Sequence, residues 1–312
     1  MSLYKDTNGK ITLIKEKRFK IEKDIQSLVE KNLAELFGIE FIASERTIQN
    51  LRIDTLAYDS DAKTFVIIEY KRDSSFSIVD QGFSYLSLLL NNKADFILEY
   101  NEQNNENLRR DDIDWSQARI IFISPSYTTH QINAVNFKNI PFELWEIKQY
   151  ENGTISLTDI KFDDSSEVIP NLNEKPEITK ARKELVEYSE TTFFNQRKKM
   201  RDPYFSFKEK ILGLYPELVF EPKKNSINVK HKDNWRVITY INILTDKIRF
   251  TFTRSKPSDF QDSKNRLIHD QNGIENKGQD LSHIDAGDDD IDYAIILFQQ
   301  AYQRYKKEFI ER

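Results

Sequence analysis

The sequence contains no cysteine, so disulfides, thiolate catalysis and the usual zinc cages are excluded by inventory. Histidine is nearly as scarce. His130, His231, His269 and His283 are scattered, without the i, i+4 pair that a helical histidine metal site uses. No apolar run approaches the ~18 residues of a membrane helix, which leaves transport across a bilayer without support. The opening "MSLYKDTNGK" has no apolar signal region, so the expectation is a soluble, cytoplasmic protein. An excess of positive charge is also missing. The formal net charge is -5, which taken alone argues against a nucleic-acid partner.

That average conceals a division along the chain. Residues 191–256 hold 15 Lys and Arg against 6 Asp and Glu, a local +9, whereas residues 257–312 hold 7 against 12, a local -5. Residues 1–190 carry the remaining -9. What the chain has in plenty is oxygen: carboxylates, hydroxyls and amides.

At 312 residues the chain is long enough for two domains, each with its own core. The spacing of Ile21, Ile25, Leu28, Val29, Leu33, Leu36 and Phe37 predicts an amphipathic helix over 21–37, stopped by Gly38. "RIDTLAY" and "TFVIIEY", joined by "DSDAK", read as a hairpin turning through 59–64, with a short strand over 40–43 before it. "SIVDQGFSYLSLLL" follows a serine-rich entry and is helical in its spacing. "ARIIFISP" is apolar throughout, as expected of a central strand covered on both faces. A helix at "TTHQINAVNF" and strands at "PFELWEI" and "TISL" complete this half. Residues 160–178 are polar, aperiodic and contain two prolines, which predicts a linker. The expected division is thus a domain over 1–160, a linker over 161–179 and a smaller α+β domain over 180–312. Its expected elements are helices near 180–190 and 204–215, strands at "SINVKH", "WRVITYINI" and "KIRFTFTR", and a final helix from about Asp290 to Phe309.

The chemistry concentrates in the hairpin. Side chains two apart on a strand share a face, so Glu69 and Lys71 project to one side. If the turn lies at 59–64, position 54 falls opposite position 69, and Asp54 joins them. One lysine cannot neutralise two buried acids, and uncompensated burial costs several kcal/mol. A hard divalent cation resolves the imbalance: Mg²⁺ takes oxygen ligands, commonly one or two carboxylates, and keeps waters and phosphate oxygens in its other positions. The competing reading is a surface hairpin whose polar face merely bears charges, against which "FVII" is too apolar for an exposed ribbon.

A helix bearing Glu30, Asp54 on one strand and Glu69-Tyr70-Lys71 on the next resembles the PD-(D/E)XK nuclease superfamily, with Ile53 where its nominal motif has proline. Gln81 and Tyr85 form Q-x-x-x-Y on the following helix, which resembles the extra motif of the RecB-like branch. More specifically, residues 15–160 look like a prokaryotic family related to NucS-type endonucleases, and residues 195–312 resemble a domain of unknown function that often follows it. The resemblance implies a restriction-endonuclease-like α/β fold, a mixed sheet flanked by helices. It implies Asp54, Glu69 and the Tyr70 carbonyl as ligands of Mg²⁺ or Mn²⁺, and Lys71 as the catalytic lysine. Glu30 would reach the metal through water, and Gln81 and Tyr85 would contact the site or the nucleic-acid backbone. The reaction implied is metal-dependent phosphodiester hydrolysis, of DNA first and with RNA left open. Many nucleases of this fold pair up to cut both strands, so a homodimer is compatible.

In the second half, Arg197, Lys198, Lys199, Arg201, Lys223 and Lys224 are interleaved with Tyr204, Phe205, Phe207 and Trp235. Phosphate attraction combined with base stacking makes this pattern a nucleic-acid groove, to which Arg52 and Arg72 would add from the first half. An ordinary core with a basic rim explains the pattern equally well. The acidic stretch "HIDAGDDDIDY" is expected to cap the final helix. The rival to a nuclease is a non-catalytic nucleic-acid- or protein-binding module that keeps the fold. The intact Asp54, Glu69, Lys71 triplet favours the enzyme.

Overall fold

A computed structural model describes residues 2–49, 51–72, 77–135, 140–160, 188–270 and 280–311. The chain forms two compact units, Met1–Val186 and Glu187–Arg312. The expected linker over 161–179 and most of the expected helix near 180–190 lie outside the described residues; residues Glu190–Phe194 make a short 3-10 turn.

The first unit is built on a seven-stranded mixed sheet. Its strands are β3 (Glu16–Lys17), β4 (Glu40–Ile48), β5 (Leu51–Asp59), β6 (Thr64–Tyr70), β7 (Arg119–Ser124), β8 (Phe142–Tyr150) and β9 (Ile155–Asp159). The order is β3-β8-β7-β6-β5-β4, and β9 pairs with β8 outside this path. β6, β7 and β8 run parallel, while β4, β5 and β6 form an antiparallel meander. A separate exposed hairpin, β1 (Leu3–Thr7) with β2 (Lys10–Ile14), precedes the sheet and is not evident from the sequence pattern.

β6 is buried along its whole length, which is why its sequence shows no polar alternation before Glu69. One face is covered by α1 (Glu22–Glu30) and α2 (Leu33–Leu36), which set Ile25, Val29 and Leu33 on Val66, Ile68, Ile121 and Ile123. The opposite face is covered by α3 (Ile78–Asn91), α4 (Lys93–Asn104) and α5 (Thr129–Val135), with Phe83, Leu86, Leu89 and Phe96 against Leu56, Ile67, Ile120 and Phe122.

The expected single helix over 21–37 is two. Asn32 leaves helical geometry at φ -129° and ψ 18°, and its side-chain amide donates to the Leu28 carbonyl at 2.7 Å, competing with the helical ladder. Ile21, placed on the apolar face by spacing, is 55% exposed because it is the extended residue before the helix starts. β4 runs well beyond the expected 40–43, and α4 has no counterpart in the sequence reading.

The second unit is a six-stranded antiparallel sheet in the order β10-β11-β12-β13-β15-β14. Its strands are β10 (Leu218–Pro222), β11 (Ile227–His231), β12 (Val237–Ile243), β13 (Ile248–Thr253), β14 (Ile268–Asp270) and β15 (Leu281–Ala286). Helices α6 (Arg201–Leu214) and α7 (Ile291–Phe309) share its core, where Phe207 meets Phe250 and Phe298. Tyr204 and Phe207 are fully buried and so are core residues, not stacking platforms for bases. The acidic stretch is also only partly a cap: His283 and Asp285 belong to β15, where Asp285 pairs with Arg249 at 2.7 Å, and Asp290 at the helix start pairs with Arg266 at 2.5 Å.

Candidate active site

The hairpin turns where the sequence places it, with Asp59 opposite Thr64 and Thr55 opposite Ile68. One further step along the ladder sets Asp54 across from Glu69, and an Asp54 Oδ2 accepts the Tyr70 main-chain N–H at 3.2 Å. Strand alternation then puts Asp54, Glu69 and Lys71 on the α3 side of the sheet.

Glu69 is 2% exposed, a carboxylate held inside the core. Such a group persists only when its lone pairs are met. Its Oε1 accepts from Lys71 Nζ at 2.5 Å and from Gln81 Nε2 at 2.6 Å, and its Oε2 accepts from the Tyr85 hydroxyl at 2.8 Å. Gln81 and Tyr85 lie one turn apart on α3 and are themselves hydrogen bonded at 3.1 Å, so one helix face presents both to the same carboxylate. The Tyr85 hydroxyl is also 3.0 Å from the Arg52 carbonyl. Burial first, then the adjacent Glu69 charge, raises the Tyr85 pKa above its usual value, so the hydroxyl remains a proton donor.

Asp54 is pushed up to about 6, by burial first and by the Glu69 charge second; the Tyr70 N–H, Lys71 and Arg52 oppose the shift without cancelling it. The pocket therefore holds more negative charge than its lysine compensates. Among the described residues, no three acidic or histidine side chains are grouped closely enough to hold a metal by themselves.

Behind the two acids, on the α1 face, lies a polar layer that the sequence reading missed. Glu30 Oε1 accepts from the Thr55 hydroxyl at 2.6 Å and from Gln26 Nε2 at 2.9 Å. Thr55 follows Asp54 in β5 and so faces the other way, meeting the Tyr70 hydroxyl at 3.1 Å. Gln26 is 5% exposed, and its two N–H groups have two further acceptors in reach, the Asp54 carbonyl at 2.9 Å and Ser44 Oγ at 3.0 Å. The chain Tyr70, Thr55, Glu30, Gln26, Asp54 thus braces the residues next to both acids. The only sequence signal was a glutamine one turn before Glu30 on a helix, indistinguishable from a solvated one.

Of the basic residues singled out by sequence, Arg52 and Arg72 flank this site and are exposed. Arg72 donates from its guanidinium to the Lys20 carbonyl at 2.7 Å, and its main-chain N–H to Glu22 at 3.1 Å. Arg197, Lys198, Lys199, Arg201 and Lys224 are exposed on the second unit, where Lys223 is paired with Glu221 at 3.0 Å. Trp235 lies under the Arg236 guanidinium, 4.4 Å from the ring centre.

No family model matches the sequence. Two solved structures show limited similarity: an EndoMS–dsDNA complex, at 18% identity and TM-score 0.28 over 44% of this chain, and a repair endonuclease from Pyrococcus abyssi, at 19% identity and TM-score 0.25 over 42%. The chain spans about half the length of each, 51% and 50%. An uncharacterized protein of Haemophilus influenzae is 44% identical over 239 residues, covering 75% of this chain and 78% of the relative. The chain belongs to the family of that Haemophilus influenzae protein.

Proposed function

We propose that the first unit is a metal-dependent nuclease hydrolysing phosphodiester bonds, with DNA as its substrate. The observation that carries this reading is the buried Glu69 carboxylate, met by Lys71, Gln81 and Tyr85 and set across from a second acid, Asp54. A core that needed only packing would have placed apolar residues there.

The donor set fits a hard divalent cation. Asp54 and Glu69 offer carboxylate oxygens and Tyr70 a main-chain carbonyl, while the elevated Asp54 pKa marks charge that a cation would offset. When bound, Mg²⁺ or Mn²⁺ supplies Lewis-acid activation of water and of the phosphate. Lys71 stands beside these oxygens, placed to orient an attacking water and to stabilise the charge developing on the phosphate. Gln81 and Tyr85 fix the rotamer of Glu69, and the layer of Gln26, Glu30 and Thr55 fixes the strands beneath.

The test is cleavage of supercoiled plasmid, linear duplex and single strands of DNA and RNA, with Mg²⁺, Mn²⁺ or EDTA, by wild type, Asp54→Ala and Lys71→Ala. Metal-dependent cutting by wild type alone is the expected result; equal cutting by Asp54→Ala would sink the proposal. A non-catalytic binding module is the second reading, favoured by the three side-chain hydrogen bonds that Lys71, Gln81 and Tyr85 make to the Glu69 carboxylate. It predicts no cutting and no metal-dependent rise in unfolding temperature.

A further inference from the structure

A groove lined in part by Arg72, the residue after Lys71, plays no part in the proposed hydrolysis. It opens where the parallel strands β6 and β7 end, the edge at which open α/β sheets place their ligands. Its cavity is about 600 Å³, inside the ~300–1,000 Å³ range of ligand clefts. Phe19 and Ile147, both buried, lie in its lining. The basic residues that line it are Lys17, Arg18, Arg72 and Lys148, against the single acid Glu16. Lys148 is paired with Glu146 on its own strand, so the exposed Lys17 and Arg18 supply most of the positive field at its mouth.

The groove is a built feature. β3 pairs with the end of β8, Glu16 with Tyr150 and Lys17 with Gln149. Arg72 ties the same segment to the end of β6 through the Lys20 carbonyl at 2.7 Å and Glu22 at 3.1 Å. The segment that follows Lys17 and Arg18 is thereby tied to Arg72, the residue after Lys71. Arg18 and Lys17 are exposed, which leaves their charges at the mouth. In a unit whose formal charge is strongly negative, a concentration of cations at this one edge favours an anionic polymer that enters here.

From this geometry we infer that the groove binds the sugar–phosphate backbone of the DNA strand adjoining the reacting phosphate, with Lys17 and Arg18 each neutralising a phosphate. The inference rests on the nuclease reading for its ligand. Its test is independent of cutting, because binding is measured in EDTA.

The experiment follows the affinity of the full chain for a labelled oligonucleotide, single-stranded and duplex, across 50–300 mM salt. It uses wild type, the double variant Lys17→Gln/Arg18→Gln, and a control pair on the exposed first hairpin, Lys5→Gln/Lys10→Gln. Each lost phosphate contact lowers the slope of log K against log salt by about 0.7 on single strands and 0.9 on duplex. The groove variant is therefore expected to lose about 1.4–1.8 of slope, and the hairpin control to lose none. An unchanged slope in the groove variant overturns the inference. An equal loss in both variants also overturns it, since it would report net charge and not a site. Poly-glutamate run in parallel identifies the other class of polymer: binding that depends on Lys17 and Arg18 for poly-glutamate, but not for DNA, assigns the groove to an acidic protein segment and overturns the DNA assignment. If the slope falls as expected while wild type cuts nothing in Mg²⁺, the groove stands and the nuclease reading fails.

Discussion

Replacing Asp54 by asparagine should make the protein more stable at neutral pH, and the size of the gain follows from the pocket. The Asp54 carboxyl has a pKa of about 6 in the folded chain and an ordinary value of 3.8, because burial and Glu69 both penalise its charge. At ~1.36 kcal/mol per pKa unit, holding it ionised in the fold costs about 3 kcal/mol. The sign follows from proton binding. The folded state binds this proton more tightly than the unfolded chain does, so stability declines as pH rises from about 3.8 through about 6, and the full penalty is present above that. Asparagine removes the charge and keeps an oxygen to accept the Tyr70 N–H. Asp54→Asn should then exceed wild type by up to about 3 kcal/mol at pH 8 and match it near pH 4. For a unit of this size that is roughly 6–12 °C in unfolding temperature. The assay is urea and thermal unfolding followed by circular dichroism at pH 4, 6 and 8 in EDTA, taken as the difference between variant and wild type so that other titrations cancel. A variant equal to or weaker than wild type at pH 8 would refute the argument that Asp54 is a strained, undercompensated acid. Saturating Mg²⁺ should narrow the difference by stabilising wild type alone.

Tyr85→Phe removes the hydroxyl from between Glu69 Oε2 and the Arg52 carbonyl, and should lower stability by about 1–3 kcal/mol because a buried acceptor is left unmet. Urea midpoints measure it; no change would mean that water takes over the hydroxyl's place. Gly82→Ala tests how closely α3 lies on the sheet. A Cβ at position 82 would sit 2.5 Å from the Phe142 ring, which is 2% exposed and packed edge-on against Phe83 at 5.0 Å. The expected loss is about 1–3 kcal/mol, outweighing the ~1 kcal/mol that alanine gains over glycine in a helix. A stability gain in thermal unfolding would show that α3 has room to move, and with it Gln81, the preceding residue.

How much of this was legible in the sequence depends on which interactions are local. Asp54, Glu69 and Lys71 could be placed together because strand alternation and one turn, Asp59 opposite Thr64, fix their relative positions within a single hairpin. Gln81 and Tyr85 could be placed on one helix face for the same reason, the i, i+4 rule. That α3 directs this face at Glu69 required the long-range fit of Gly82 against Phe142, which no local rule contains.

The polar layer on the α1 face shows the same boundary from the other side. Gln26, Glu30, Thr55 and Tyr70 come from three elements, and nothing within any one segment shows that their side chains meet. Their meeting also bears on Glu30, which the resemblance directs toward a metal. Its Oε1 is taken by Thr55 and Gln26, on the face away from the Glu69 carboxylate, so its contacts favour bracing the strands that carry the acids. The second unit illustrates the opposite error: basic residues beside aromatics look alike whether the rings stack on bases or on each other, and only the burial of Tyr204 beside Phe194 and Phe220, and of Phe207 against Phe250 and Phe298, separates the two. The segment over 15–18 shows a third: its strand of two residues is too short for any periodicity, yet pairing with β8 and the Arg72 tie convert it into a wall of the groove. Where function depends on residues brought together by such ties, the sequence supplies the charges, and only the assembled sheet edge gives them a common address.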